Sequence, residues 1–352
     1  MAQRPTLADV AAAAGVSVST ASLAFSGAGP IAPTTRERVL EHAGALGYSG
    51  PNPLARQLRR GRSGIVGVVV GDALRRSFRD PASVQVLDGI TSTLGPLGFG
   101  VLLIPGRDHP DEPPVDPLVE SAAMDVAIML WGGALDERVL AALQRRGVPT
   151  VLVEGRHSPG RSVVGIADRH GIAEVTAMLL GLGHTRIATV TLPFSGDGVT
   201  GLVGAERLAA LHRDVTRRRL AGVYDAGADP VAIFETAGSL VENGAEAGRA
   251  LLDRPDRPTA VVCQSDLLAG GVVIAARELG LRVPEDVSVA GFDGLDLPWL
   301  SPDVLTSVRQ PLAEKGRAAA REAVRLLEGE EPESLELPVE LVVGTTTGPP
   351  PA

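Results

Sequence analysis

Residues 6–27 read TLADVAAAAGVSVSTASLAFSG, and the order of residue types there sets the architecture of one end of the chain. Thr6 is placed to cap a helix whose third position is Asp9, an approximate capping box. Leu7, Val10, Ala11 and Ala14 then recur at helical spacing on one face. Gly15 can take the left-handed conformation that ends a helix. Val16 turns inward, and Ser17 caps a second helix from Val18 to about Phe25. Two short helices joined by a tight glycine turn form the unit that lays its second helix in the major groove of DNA. Pro33 suits the first turn of a third helix. That helix carries Val39, Leu40, Ala43 and Leu46 as far as Gly47, an apolar face that would lock the first two together.

The next segment, Asn52-Pro53-Leu54-Ala55-Arg56-Gln57-Leu58-Arg59-Arg60, begins with a helix start signal and sets three arginines around two leucines. One reading is a linker helix with solvated charges. The other is a hinge helix in the minor groove, with Leu58 wedged between base steps while Arg56, Arg59 and Arg60 meet phosphates. The charge distribution points the same way. Residues 1–63 carry seven basic against three acidic residues, a net +4, while the remainder stands at −13 and the whole chain at −9. An acidic body with a basic arm offers phosphates one end only.

At 352 residues there is room for two or three compact domains. Cys263 is the only cysteine, which excludes an internal disulfide; within TAVVC it reads as a small buried hydrophobe. The N-terminus has no apolar signal core and no apolar run approaches a membrane span, so a cytoplasmic chain with no membrane partner is expected. After Gly64 apolar strands alternate with helical stretches. Strands fit IVGVVV, GVLLIP, DVAIMLW, PTVLVEG, RIATVTL, TAVVCQ and SVAGFD; helices fit 84–94, 136–144, 171–182, 266–279 and 312–327. Near-continuous apolar strands alternating with helices imply parallel, doubly wound sheets covered on both faces. Two similar lobes with a ligand cleft at the carboxyl ends of their strands accommodate that number of units. Gly196 to Gly201 matches a dinucleotide fingerprint only formally, because Leu192-Pro193-Phe194 intervenes after the strand; it reads as a flexible loop. The six histidines show no metal spacing, and His184 reads as helix-exit chemistry. No phosphate-cradling loop appears, so no metal or cofactor is expected. The tail has no leucine heptads to support a tetramerising coiled coil.

The chain resembles the LacI/GalR family of transcriptional regulators over nearly its full length. Thr6-Leu7-x-Asp9-Val10-Ala11 with Ala14-Gly15-Val16-Ser17 matches that family's opening. Thr35-Arg36-Glu37-Arg38-Val39 and Leu46-Gly47-Tyr48 match its third helix, and Ala55-Arg56-x-Leu58 its hinge. In the body the matching motifs are Arg219-Leu220-Ala221-Gly222, Ser265-Asp266-x-x-Ala269-x-Gly271, the run from Leu281 to Asp293, and Thr306-Ser307-Val308-Arg309-Gln310-Pro311. The resemblance implies base reading by Val18, Ser19 and Leu23, and phosphate contacts from Ser17, Thr20 and Ser22. Thr6, Asn52, Ala55, Arg56, Leu58 and Arg59 complete the expected DNA-contacting set. Where most relatives carry arginine, this chain has Leu23, which offers apolar contact in place of guanine recognition. Ala32 stands where a capping Ser or Thr is usual.

The same resemblance implies a periplasmic-binding-protein-like core. Expected boundaries are 1–49 for the all-α helix-turn-helix domain and 50–63 for the hinge. Residues 64–167 with 310–334 would form the first lobe, and 168–309 with 335–347 the second. An effector in the cleft would be met by Arg219, Asp293, Asp266 and Asp168. Relatives often place two aromatics where this chain has Asp80-Pro81-Ala82-Ser83; Phe78, Trp131 and Trp299 are the candidate substitutes. The function so implied is a ligand-responsive regulator, a repressor, not an enzyme. As a homodimer it would bind double-stranded, pseudo-palindromic operator DNA and answer to a small, sugar-like metabolite. The alternatives are a solute-binding protein or an α/β enzyme sharing the core.

Overall fold

The computed structural model describes residues 5–26, 29–50, 62–71, 74–106, 115–131, 136–157 and 160–351. The chain divides into two compact units, residues 1–64 and 65–352.

In the first unit, helices Leu7–Ala13, Val18–Ser26 and Pro33–Ala45 pack around Val10, Ala11, Ala14, Ala21, Ala24, Val39 and Ala43. Small side chains at these positions let short helices approach closely. The capping box at Thr6 is formed: its amide and hydroxyl donate to Asp9 Oδ2, both at 2.7 Å, and its Oγ1 accepts from the Asp9 amide. Gly15 has φ +63°. The Val16 and Gly15 amides bond back to the Ala11 and Ala12 carbonyls, the Schellman pattern that ends a helix. The next helix leaves this turn at 105° to the first. Ala32, as its side chain dictates, gives the third helix no side-chain cap, and Pro33 opens it. Two arginines of that helix act as clamps: Arg38 Nε donates to the Ala14 carbonyl and Arg36 Nε to the Ala24 carbonyl, each at 3.1 Å. Both carbonyls lie at helix C-termini, where a cation is favoured.

The second unit holds two sheets. In the first, β1 (Ile65–Val70), β2 (Gly100–Ile104), β3 (Val126–Leu130), β4 (Thr150–Val153), β5 (Ser162–Ile166) and β12 (Leu335–Leu337) run parallel in the order β12-β5-β4-β3-β1-β2. In the second, β6 (Ile187–Thr191), β8 (Ala232–Glu235), β9 (Ala260–Cys263), β10 (Ser288–Asp293) and β11 (Thr306–Arg309) are parallel. They are edged by antiparallel β7 (Gly201–Leu202) and β13 (Glu340–Val342), in the order β13-β11-β10-β9-β6-β8-β7. Strands VAIML and SVAGFD are buried along their whole length because helices cover both faces, and the second is apolar between Ser288 and the Asp293 that ends it.

The chain passes between sheets after β5, after β11 and after β12. The last crossing corrects the expected boundary: Leu335–Leu337 pairs with Val164–Ile166 in the first sheet, so the passage falls at Pro338-Val339, beyond residue 335. Pro338 has no N–H with which to extend the ladder. Helix Leu312–Leu327 returns to the first lobe and crosses helix Pro81–Leu94 at Gly89 and Gly316. A side chain on either glycine would run into the facing backbone, at Ala313 O or Val86 O. Strand β5 and helices Asp214–Asp225 and Val241–Leu252 were not among the sequence expectations. Gly196–Gly201 forms a loop into β7 with no helix opening inside it, and Arg207 ties it down through Asp197 Oδ2 at 2.7 Å. Among the described residues no single helix is long and apolar enough to cross a membrane, and no His, Cys, Asp and Glu cluster could hold a metal ion.

Candidate nucleic-acid interface and inter-lobe cavity

In the first unit the second helix presents a polar, accessible N-terminus. Ser17 Oγ accepts from the Thr20 amide (3.1 Å) and lies 2.7 Å from Ser19 Oγ and 2.8 Å from Thr20 Oγ1. Three hydroxyls thus gather at a helix start, a setting that suits a phosphate oxygen. Val18, first in the helix, is half exposed at 50%, a cost the unit accepts without any packing return. Ser19 is exposed; Thr20, Ser22 and Leu23 are partly so. Leu23 lies against Gly29, where an added Cβ would approach Leu23 Cδ2 to 3.1 Å. Thr6 is committed to its capping box. The expected contacts at Asn52, Ala55, Arg56, Leu58 and Arg59 lie outside the described residues.

In the second unit a cavity of about 110 Å³ opens between the lobes. Its position follows from topology. In the first sheet the strand order reverses between β1 and β3, and Gly71 and Trp131, which follow those strands, line the cavity. In the second it reverses between β6 and β9, and Leu192 and Ser265 follow those. Such switch points leave a crevice because the connections diverge to opposite faces. Among the described residues, Trp131, Glu154 and Asp293 are the non-glycines with positive φ (50°, 60° and 128°), and all three stand at strand ends around this cleft. Holding them there costs about 1–3 kcal/mol each.

The sequence-expected residues separate into two groups. Arg219, Asp293 and Trp131 line the cavity. Arg219 is 3% exposed and stacks on Phe292 with its Cζ 3.8 Å from the ring centroid. Its Nη1 donates to the Gln264 carbonyl at 2.5 Å, while Glu154, Asp168 and Asp293 stand at 3.8, 3.9 and 4.0 Å; Nε, the atom facing Asp168, makes no hydrogen bond. Asp293 Oδ1 accepts from Gln310 Nε2 at 2.6 Å, and burial drives its carboxyl well above the usual range despite Arg219. Asp266 and Asp168 are buried but are not on the wall. Asp266 accepts from Ser307 Oγ (2.6 Å) and the Leu295 amide (2.7 Å), pinning the β10–β11 connection; burial pushes its carboxyl up to about 6. The helix that it begins is capped by Ser265, so Asp266 is not the N-cap. Asp168 is held by Arg218 Nε at 3.0 Å and Nη2 at 3.1 Å. Phe78 is 58% exposed and off the wall, and Trp299 packs against Gly270.

Several wall residues carried no sequence signal of their role. Asp80 caps helix Pro81–Leu94 through the Ala82 amide (3.0 Å) and accepts from Ser83 Oγ (2.9 Å); burial raises its carboxyl. Arg76, Arg213 and Gln310 also face the space. Behind the wall the only lysine of the chain, Lys315, is fully buried and donates to Glu154 and to Gln310 Oε1 (2.5 Å). Burial alone would raise the Glu154 carboxyl, but Lys315 and Arg219 more than reverse it and hold the group below its ordinary value. Lys315, Gln310 and Asp293 therefore form a polar chain from the first lobe to the cavity.

Each of the two units contains a match to a known protein family. Residues 6–52 match the model for bacterial regulatory proteins of the lacI family, and residues 176–347 match a periplasmic binding protein-like domain. An HTH-type transcriptional regulator from Mycobacterium tuberculosis is 35% identical over 99% of this chain and 98% of its own length. The regulator IpsA from Corynebacterium glutamicum is 32% identical over the same shares. Among solved structures, the lac repressor dimer bound to operator and the anti-inducer ONPF has a TM-score of 0.76 at 25% identity, covering 98% of this chain and 100% of that one. A complex of the regulator CelR with cellobiose has a TM-score of 0.67 at 28% identity, covering 97% and 100%.

Proposed function

The chain belongs to the LacI family of bacterial transcriptional regulators, and from this we propose that it is a cytoplasmic repressor. As a homodimer it binds a pseudo-palindromic operator, and a small metabolite in the inter-lobe cavity controls it. The observation that carries the reading is the exposed start of the second helix, where Ser17, Val18 and Ser19 face outward on a unit with the 105° helix-turn-helix bend. Val18, Ser19 and Leu23 read base edges, Ser17, Thr20 and Ser22 hold phosphates, and Leu58 from each protomer wedges into the operator centre. The metabolite sits against Arg219 and Asp293, with Trp131 on the opposite wall. Because these groups belong to different lobes, binding sets the angle between them, and coupling to operator affinity is reciprocal.

The test is binding of the full chain to palindromic sequences near its own gene, followed by fluorescence anisotropy across a salt series. Affinity should fall steeply with salt, and Leu58→Ala should weaken it at low and high salt alike. An unchanged affinity in Leu58→Ala would remove the hinge from the mechanism.

A further inference from the structure

From Thr6 to Thr35 the sequence holds a single charged side chain, Asp9, and no arginine, lysine, histidine, asparagine or glutamine. Asp9 is spent in the capping box of the first helix, where its Oδ2 accepts from the Thr6 amide and hydroxyl at 2.7 Å each. The next guanidinium groups, those of Arg36 and Arg38, stand on the third helix and are turned to the Ala24 and Ala14 carbonyls. The helix that a helix-turn-helix lays in the major groove, Val18–Ser26, is therefore built of Val, Ser, Thr, Ala, Leu and Phe alone. Ala21 and Ala24 are buried, and Phe25 meets Tyr48 edge-on with ring centroids 5.5 Å apart. Outward, the helix leaves Val18, Ser19, Ser22 and Leu23, neighbours at spacings of three and four residues.

Hydrogen-bond discrimination in the major groove rests on side chains that make two bonds to one base, Arg or Lys on guanine and Asn or Gln on adenine. This helix has none of them. A serine hydroxyl rotates to give or to take a hydrogen bond, so alone it separates the four base pairs poorly. Ser19 Oγ, moreover, already lies 2.7 Å from Ser17 Oγ. The remaining means of telling one base pair from another is apolar contact with the C5-methyl group of thymine, the apolar feature of the major-groove edges. Val18 is 50% exposed and supplies such a surface. Leu23 supplies another; Gly29 lies so close to it that an added Cβ would come within 3.1 Å of Cδ2, which limits the positions the side chain can take.

We propose that this chain selects its operator half-sites by thymine methyl groups packed against Val18 and Leu23, and not by bidentate recognition of guanine or adenine. The proposal deepens the reading of the helix-turn-helix unit as the operator-binding end and rests on it. Recognition of this kind is graded. One buried methyl group is worth about fourfold in affinity, where a bidentate pair is worth about tenfold or more.

Selection from a random duplex library by the full chain supplies the operator, and base analogues within it test the proposal by fluorescence anisotropy at constant salt. Replacing thymine by uracil, one half-site position at a time, deletes a methyl group and keeps every hydrogen-bonding group. At one or more positions this should weaken binding about fourfold, and 5-methylcytosine there should bind more tightly than cytosine by a similar factor. Replacing half-site guanine or adenine by the 7-deaza analogue removes the N7 acceptor and should change affinity by less than about twofold. Val18→Ala and Leu23→Ala should each abolish the uracil effect at the position it contacts. Arg249→Gln, an exposed partner of Glu278 on helix Val241–Leu252, should leave that effect intact. The analogues alter only the DNA, so they decide the matter whether or not an alanine variant folds. Uracil tolerated at every half-site position overturns the proposal, as does a 7-deaza purine that costs about tenfold or more, or a uracil effect that survives both alanine substitutions. If the chain enriches no duplex, the operator-binding reading falls and the proposal with it; enrichment without a uracil effect removes only this mode of recognition.

Discussion

The helix-turn-helix unit and the inter-lobe cavity are built on opposite electrostatic plans. The first keeps its interior to alanine and valine, and its charged groups sit outside, where Arg36, Arg38 and Asp9 close helix ends. The second buries Lys315, Glu154, Arg219, Asp168 and Asp266 within one neighbourhood. A hydrocarbon core loses stability in proportion to what is removed. A buried charge cluster depends on every partner being present, because removing one leaves another desolvated and unpaired. The DNA-binding end therefore tolerates graded change, and the cleft responds to single changes as a unit.

The sharpest way to break this contrast is Lys315→Met. It should cost about 3–5 kcal/mol in denaturant unfolding, because Glu154 stays buried without its partner. Adding Glu154→Gln should recover much of that loss; equal losses in the single and double variants would mean that the pair is not coupled. Asp266→Asn probes the same cluster more gently. The asparagine amide can still accept from the Leu295 amide and can donate to Ser307 Oγ. The native carboxyl is raised from 3.8 to about 6, so the native protein is favoured while the group is protonated and loses that advantage as pH climbs from about 4 to 6. The stability of Asp266→Asn relative to the parent should therefore rise across this window by roughly 1 kcal/mol per pH unit. A flat difference would show that Asp266 titrates normally.

The smallest effects belong to the helical unit. Ser17→Ala removes a cap and should cost about 1 kcal/mol, while Ala32→Ser supplies the missing one and should gain a similar amount. Circular dichroism melts of the unit's transition would resolve both. Losses above about 3 kcal/mol at Ser17 would place that site, too, in the all-or-none class.

How much of each region could be read beforehand follows from the same contrast. The capping box at Thr6, the glycine turn at Gly15, the cap at Ser17 and the uncapped Ala32 are all relations among residues a few positions apart, so periodicity and spacing expose them. The cleft joins residue 315 to 154, 310 to 293 and 213 to 71. Nothing local to Lys315 distinguishes it from a surface lysine on an amphipathic helix. Asp266 and Asp168 illustrate the converse. Their positions in the sequence pattern suggested ligand contact, yet the fold turns both carboxylates toward internal partners. Strand β5 escapes notice for another reason: although Ser158-Pro159-Gly160 marks a turn before it, SVVGI is only five residues long with a glycine inside, too short for a period to show.

The threading of the core also has a consequence for synthesis. The first lobe receives helix Leu312–Leu327 and edge strand Leu335–Leu337 from late in the chain. The second receives β13 and then residues 345–348, where Thr346 exchanges hydrogen bonds with Val289 and Gly348 with Ser288. The helix-turn-helix unit is contiguous and complete within the first fifty residues. On the ribosome, the DNA-reading end can fold long before either lobe that governs it. Nascent chains thus pass through an interval in which they hold a reader of DNA without its metabolite control.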